Sequence, residues 1–186
     1  NFTSDANCPN ATIVCYHKNM LFLAGDSSNP SVLTFSNLAT TLTNLQTFTA
    51  TDVINVATSD GSKIRALLSA YDSLYIFKDY SIWRLSGSST ANFYLEKVVD
   101  GVGTLSAQSP VATPTGIYFT STEGSVFQYD GAYTVKHIST KITTTINNSN
   151  KFSNLSCRSS SLKNNARVLA ASTSARCALP LKCSLK

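Results

Sequence analysis

The chain is built from short apolar runs separated by polar breaks, and one of these runs is written twice. Ser73–Gly87 reads SLYIFKDYSIWRLSG and Gly116–Gly131 reads GIYFTSTEGSVFQYDG. Leu74, Tyr75 and Ile76 align with Ile117, Tyr118 and Phe119. Ile82, Trp83 and Leu85 align with Val126, Phe127 and Tyr129, and Gly87 with Gly131. Each half is aromatic and β-branched and each middle is polar, which predicts a β-hairpin. The phrases differ by one residue, in the middle, where a surface turn tolerates a change of length. A weaker third copy runs from Met20 to Gly25, breaks, and resumes at Ser31–Phe35. Phe22 and Tyr75 are 53 residues apart, and Tyr75 and Tyr118 are 43.

The pattern around these hairpins predicts more strands. One is expected within Ala11–Tyr16, in an otherwise irregular opening (residues 1–18). The connection 37–60 contains Val53–Val56 and ends on the turn signal Asp60-Gly61. Ile64–Ser69 reads as a strand, Tyr71-Asp72-Ser73 as a turn, and Phe93–Val99 as a strand. Pro110–Pro114 reads as a short strand or bend, and Thr134–Ile138 as a strand. One unit is therefore Ile64–Ser69, Leu74–Phe77, Ser81–Leu85 and Phe93–Val99, four short antiparallel strands. Its hairpin is apolar on both faces, with Leu74 and Ile76 on one and Tyr75 and Phe77 on the other. A sheet with one solvated face alternates apolar with polar, and a sheet covered on both faces need not. Four-stranded sheets stacked face to face every 40–50 residues or so are blades of a β-propeller. The expected fold is all-β, a partial β-propeller of four-stranded antiparallel blades, with about three blades in residues 19–155. A β-sandwich with similar hairpins is the competing architecture.

Charge divides the chain in two. The net charge is +5, but residues 1–155 hold 9 Lys and Arg against 10 Asp and Glu. Residues 156–186 hold 6 Lys and Arg and no acid. No aromatic residue follows Phe152, and three of the five cysteines (Cys157, Cys177, Cys183) lie in this basic end. Residues 156–186 are expected to be a disordered or non-native tail, the rival being a genuine basic arm able to bind phosphate. The chain opens on Asn1, and an origin as a fragment of a longer or processed protein is expected. No run of about 18 apolar residues is present, so no membrane-spanning segment is expected.

Candidate chemistry is sparse. No GxSxG, HExxH, P-loop or GxGxxG motif occurs. His17 and His137 are the only histidines, and no Cys/His spacing fits zinc. Cys8 and Cys15 are close enough in sequence to pair in a secreted protein. Asp72, Asp79, Asp100 and Asp130 sit in predicted turns, where Asp is favoured for its local hydrogen bonds. Sialidase-type propellers grip a carboxylate with clustered arginines, and residues 1–155 hold only Arg65 and Arg84. Trp83 with Tyr75, Phe77 and Tyr80 forms either a stacking platform for sugars or bases, or core. Sequons at Asn1, Asn10, Asn147 and Asn154 fit a secreted glycoprotein but arise readily in a chain rich in Asn, Ser and Thr. No enzyme is expected, and no catalytic residue, cofactor or metal ligand is assigned.

The order of phrases is more specific than any one of them. Phe48–Val56, Asp60-Gly61, Ile64–Leu67 and SLYIFKDYSIWRLSG are followed by VVDGVGTLSAQSPVATPTGIYFTSTEGSVFQYDG. This resembles the β-propeller proteins of tailed-phage virions, in particular the neck, tail-nozzle and packaged-DNA stabilisation components of short-tailed phages. The resemblance covers roughly residues 19–140 and places Lys78 at the family's lysine and Gly103, Ser106 and Ser109 in its small-residue segment. It implies a virion structural protein, made in the host bacterial cytoplasm, that helps retain packaged DNA and forms its exit channel. The implied partners are portal, tail or neck ring subunits and further copies in a homo-oligomeric ring, with transient, non-specific passage of DNA. The alternative is a secreted or surface propeller that binds glycans or protein.

Overall fold

The computed structural model describes residues 7–40, 47–131 and 133–140. They form twelve strands in three four-stranded antiparallel sheets, each a meander in chain order. The first sheet is β1 (Ile13–His17), β2 (Met20–Ala24), β3 (Val32–Phe35) and β4 (Val53–Asn55). The second is β5 (Ile64–Ala70), β6 (Ser73–Lys78), β7 (Ser81–Ser86) and β8 (Tyr94–Asp100). The third is β9 (Val111–Thr113), β10 (Gly116–Thr120), β11 (Val126–Tyr129) and β12 (Val135–His137). The all-β reading and the four-strand unit are both met. The first sheet takes its opening strand from within residues 1–18, where the sequence predicts one at Ala11–Tyr16. Residues 141–155 and the basic end, 156–186, lie outside the described residues. No described helix is long and apolar enough to cross a membrane.

The second sheet lies between the other two, and its side chains divide by pleat parity. Leu74, Ile76 and Leu85 pack with Met20, Phe22 and Phe35 of the first sheet. Tyr75, Phe77 and Ile82 pack with Ile117, Phe119 and Tyr129 of the third. Every residue of β6 is buried, as a strand covered on both faces requires. Two bulges adjust this parity. The register slips between Ile64 and Ala66, so Ile64 joins the first interface and Ala66 the second. A second slip, opposite Ile82 and Trp83, lets Val98 and Val99 both face the third sheet.

The first strands of the sheets lie side by side, β1 against β5 and β5 against β9. Their hairpins are alike too. Lys18-Asn19 and Tyr71-Asp72 are two-residue turns with positive φ at both positions. That is the turn type whose twist matches antiparallel strands. The two turns touch through Lys18 Nζ and Asp72 Oδ2, 3.1 Å apart, and the Tyr71 hydroxyl donates onward to the Thr113 carbonyl.

Candidate functional site

The most heavily connected polar group in the described residues surrounds the end of β6, where both inter-sheet connections meet. Strand alternation turns Lys78 toward the first sheet, across which residues 56–63 pass on their way to β5. Its side chain is 0% exposed. Nζ donates to the carbonyls of Val56 (2.6 Å) and Ala57 (3.0 Å) and to Asp60 Oδ1 (2.7 Å). An ammonium has three donors, and here each finds an acceptor, the condition for burying such a charge. The connection is shaped to supply them. Ala57 adopts a left-handed conformation (φ 46°) before a single 3-10 turn, Thr58–Asp60, and Gly61 leaves that turn at φ 68°. Burial would raise the Asp60 carboxyl, but the Lys78 ammonium and two hydrogen bonds from Ser62 outweigh it and hold it below the usual carboxylate range.

Asp79 extends the group. Its carboxylate accepts from the Lys63 backbone N–H (2.8 Å) and from Arg65 Nε (2.6 Å), fixing the bulged start of β5. The connection is also sewn to the first sheet. Ile64 N donates to the Pro30 carbonyl and Ser31 Oγ to that of Ser62.

The Lys78 carbonyl serves the connection that leads to the third sheet. It accepts from Thr104 N at 3.0 Å. Thr104 Oγ1 donates to the Thr120 carbonyl (2.7 Å), and Thr120 N donates to Ser109 Oγ (2.6 Å). Gly103 must be small because a Cβ there would strike the Lys78 carbonyl and the Asp79 backbone. Lys78 thus grips the connection behind it with its side chain and the connection ahead of it with its backbone.

The residues singled out from sequence fall into place around this junction. Lys78, Gly103 and Ser109 come together in it, and Ser106 closes the turn that positions Ser109. Asp79 belongs to it as well, beyond its turn role. Asp72 and Asp100 pair with Lys18 and Lys97, and Asp130 follows β11. Trp83 packs toward the first sheet while Tyr75 and Phe77 face the third and Tyr80 is exposed, so no stacking platform is assembled. Arg65 and Arg84 are each tied to a separate carboxylate, Asp79 and Glu96, and do not form a carboxylate clamp. His17 lies in the first sheet and His137 in the third. Cys8 and Cys15 are free thiols; Cys8 is exposed, and Cys15 packs into the first interface. No cluster of His, Cys, Asp and Glu among the described residues could hold a metal.

Sequence reasoning misses Asp60 as a partner of Lys78 and Ser62 as the residue that donates to Asp60. Asp60-Gly61 reads as a turn, and nothing local reveals that its carboxylate meets a lysine 18 residues on. It also misses His17 as a buried group. Its Nδ1 lies 2.7 Å from Ser69 Oγ on the second sheet, and its Nε2 is buried without a described partner. Chemically, the junction is a fastening. All three donors of Lys78 Nζ are taken up by acceptors of the connection it holds.

No protein-family model matches the chain, and no curated protein matches it.

Proposed function

We propose that the three sheets are consecutive blades of a β-propeller, and that the protein is a structural component of a short-tailed phage virion. In this role it belongs to a neck or nozzle ring that helps retain packaged DNA and forms its exit channel. The observation that carries the reading is the repeated meander, with β1, β5 and β9 side by side and a buried lysine binding both connections. Radially ordered sheets with their first strands innermost are what a propeller requires. A junction that uses a buried cation to fasten sheets suits a rigid part better than a catalyst.

The charge balance fits the same role. Residues 1–155 are nearly neutral, and passing DNA is held back less by a surface making few phosphate contacts. The proposed partners are portal, tail or neck ring subunits.

Sequencing the source DNA on both sides of this segment tests the proposal. The expected result is a reading frame that continues into more such hairpins beside portal or capsid genes. A short frame with a secretory leader, ending at Lys186, would overturn it.

A further inference from the structure

A cavity of about 370 Å³ opens beside the bulged start of β5. Its walls come from the starts of β1 and β5, the loop from β2 to β3, and the connection from β8 to β9. That size is within the usual range for small-molecule sites. Ile13, Ile64 and Leu105 give it an apolar side, and Leu105 is 54% exposed there. Arg65, Lys63 and Asp26 give it charges of both signs. Arg65 is the extra residue of the bulge, opposite no residue of β6, and a bulge re-aims the side chain it carries. The repeat does not require this bulge, because β1 pairs with β2, and β9 with β10, in unbroken register.

Each charged group keeps bonding capacity in reserve. Asp79 Oδ1 holds Arg65 Nε at 2.6 Å, and the two Nη groups bond to nothing among the described residues. A guanidinium fixed at Nε is aligned to offer its Nη groups to a carboxylate, whose two oxygens match the fork. Lys63 gives its backbone N–H to Asp79 Oδ2, and its ammonium makes no bond among the described residues. Asp26 Oδ1 accepts from Ser28 N at 3.1 Å, and its Oδ2 meets no donor among the described residues. With Asp79 counted, the two cations and two anions balance, so a ligand carrying both signs complements the cavity better than a simple anion does. We propose that this cavity binds a free amino acid with an aliphatic side chain. Its carboxylate pairs with Arg65 and Lys63, its ammonium pairs with Asp26, and its side chain lies on Ile13, Ile64 and Leu105. The site goes beyond the virion reading and does not depend on it.

The test is a titration of L-leucine into the isotopically labelled full chain, followed by backbone amide NMR shifts. Saturable shifts at Asp26, Ser27, Lys63 and Arg65 are expected, with a Kd of about 1 mM, as suits a small ligand in an open site. Isocaproate lacks the ammonium and isoamylamine lacks the carboxylate. Each should bind at least about tenfold more weakly than leucine, the effect of one lost charged contact. Asp26→Asn keeps an acceptor for Ser28 N. It should weaken leucine at least about tenfold and leave isocaproate unchanged. Lys63→Gln keeps the backbone bond to Asp79, so the junction and its stability are spared. It should weaken leucine and isocaproate alike, by about two- to fivefold, and leave isoamylamine unchanged. No saturable shift with leucine overturns the proposal. So does leucine binding that matches isocaproate or ignores Asp26→Asn, which would make the cavity a site for simple anions. Saturable shifts elsewhere, with these four amides unmoved, overturn it as well. None of these outcomes touches the virion proposal, which is decided by the neighbouring genes.

Discussion

Lys78 concentrates the energetics of the junction at a single residue. Removing its ammonium leaves the Val56 carbonyl buried without a donor and the Asp60 carboxylate without its counter-charge. Breaking one side of a buried charged pair costs about 3–5 kcal/mol, and Asp60 is partly exposed, so the lower figure applies. Lys78→Met should destabilise the fold by about 3 kcal/mol in a denaturant titration, and Asp60→Asn by less, since both carbonyls remain to the lysine. The carboxyl adds a pH dependence. Its pKa is lowered in the fold, so its contribution is fully present above the ordinary carboxylate range and is lost as pH falls through the folded value. Asp60→Asn should therefore narrow the stability gap between pH 7 and pH 3. His17 acts in a neighbouring window. Burial, with a smaller push from Lys18, lowers its pKa against the opposing pull of Asp72. The unfolded chain takes up a proton near pH 6.5 that the folded chain refuses, so stability falls as pH drops below that value. His17→Gln should flatten the slope between pH 7 and pH 5, and an unchanged slope would remove His17 from the account.

At the level of elements, the hairpins show both what the sequence states and what it leaves out. Tyr71-Asp72 is legible as a turn, but its left-handed backbone (φ 47° and 61°) is not. Tyrosine is a poor choice for positive φ, and Asn-Gly is the pair this turn favours. Replacing Tyr71-Asp72 by Asn-Gly relieves that conformation but removes the Tyr71 bond to Thr113 and the Asp72 pair with Lys18. The turn's own gain is about 0.5–1 kcal/mol, comparable to one exposed hydrogen bond. The expected result is near-unchanged thermal stability in the double variant, and a gain of several tenths of a kcal/mol in Lys18→Gly, which relieves φ in β1–β2 and gives up an ion pair whose Asp72 end is exposed. Strand positions are readable because both faces of β6 demand apolar residues, and that demand is local. The bulges at Arg65 and Val98 are not readable, because the extra residue is apolar or amphipathic and fits either parity. The Lys78 site is half legible. Its lysine and its glycine stand out in the sequence, but their partners come from connections whose paths are set by packing.

For the molecule as a whole, the repeat turns one position into a comparison. Ile76 and Leu23 occupy the same site of the repeat in successive sheets. Ile76 is fully buried between sheets, and Leu23 is half-buried on a face with no described sheet behind it. Truncating a buried aliphatic side chain to alanine costs about 2–5 kcal/mol, and the cost grows with how tightly the removed atoms were packed. In a denaturant titration, Ile76→Ala should cost about 3–4 kcal/mol and Leu23→Ala about 1–2 kcal/mol. The difference follows from the cover: a whole sheet packs on Ile76, and only connecting residues of the chain lie against Leu23. Costs that far apart would show that this loose cover packs Leu23 less tightly than a sheet packs Ile76. Equal costs would mean that the connecting residues pack on Leu23 as tightly as a neighbouring sheet packs on Ile76, and that the first sheet needs no further layer to be stable.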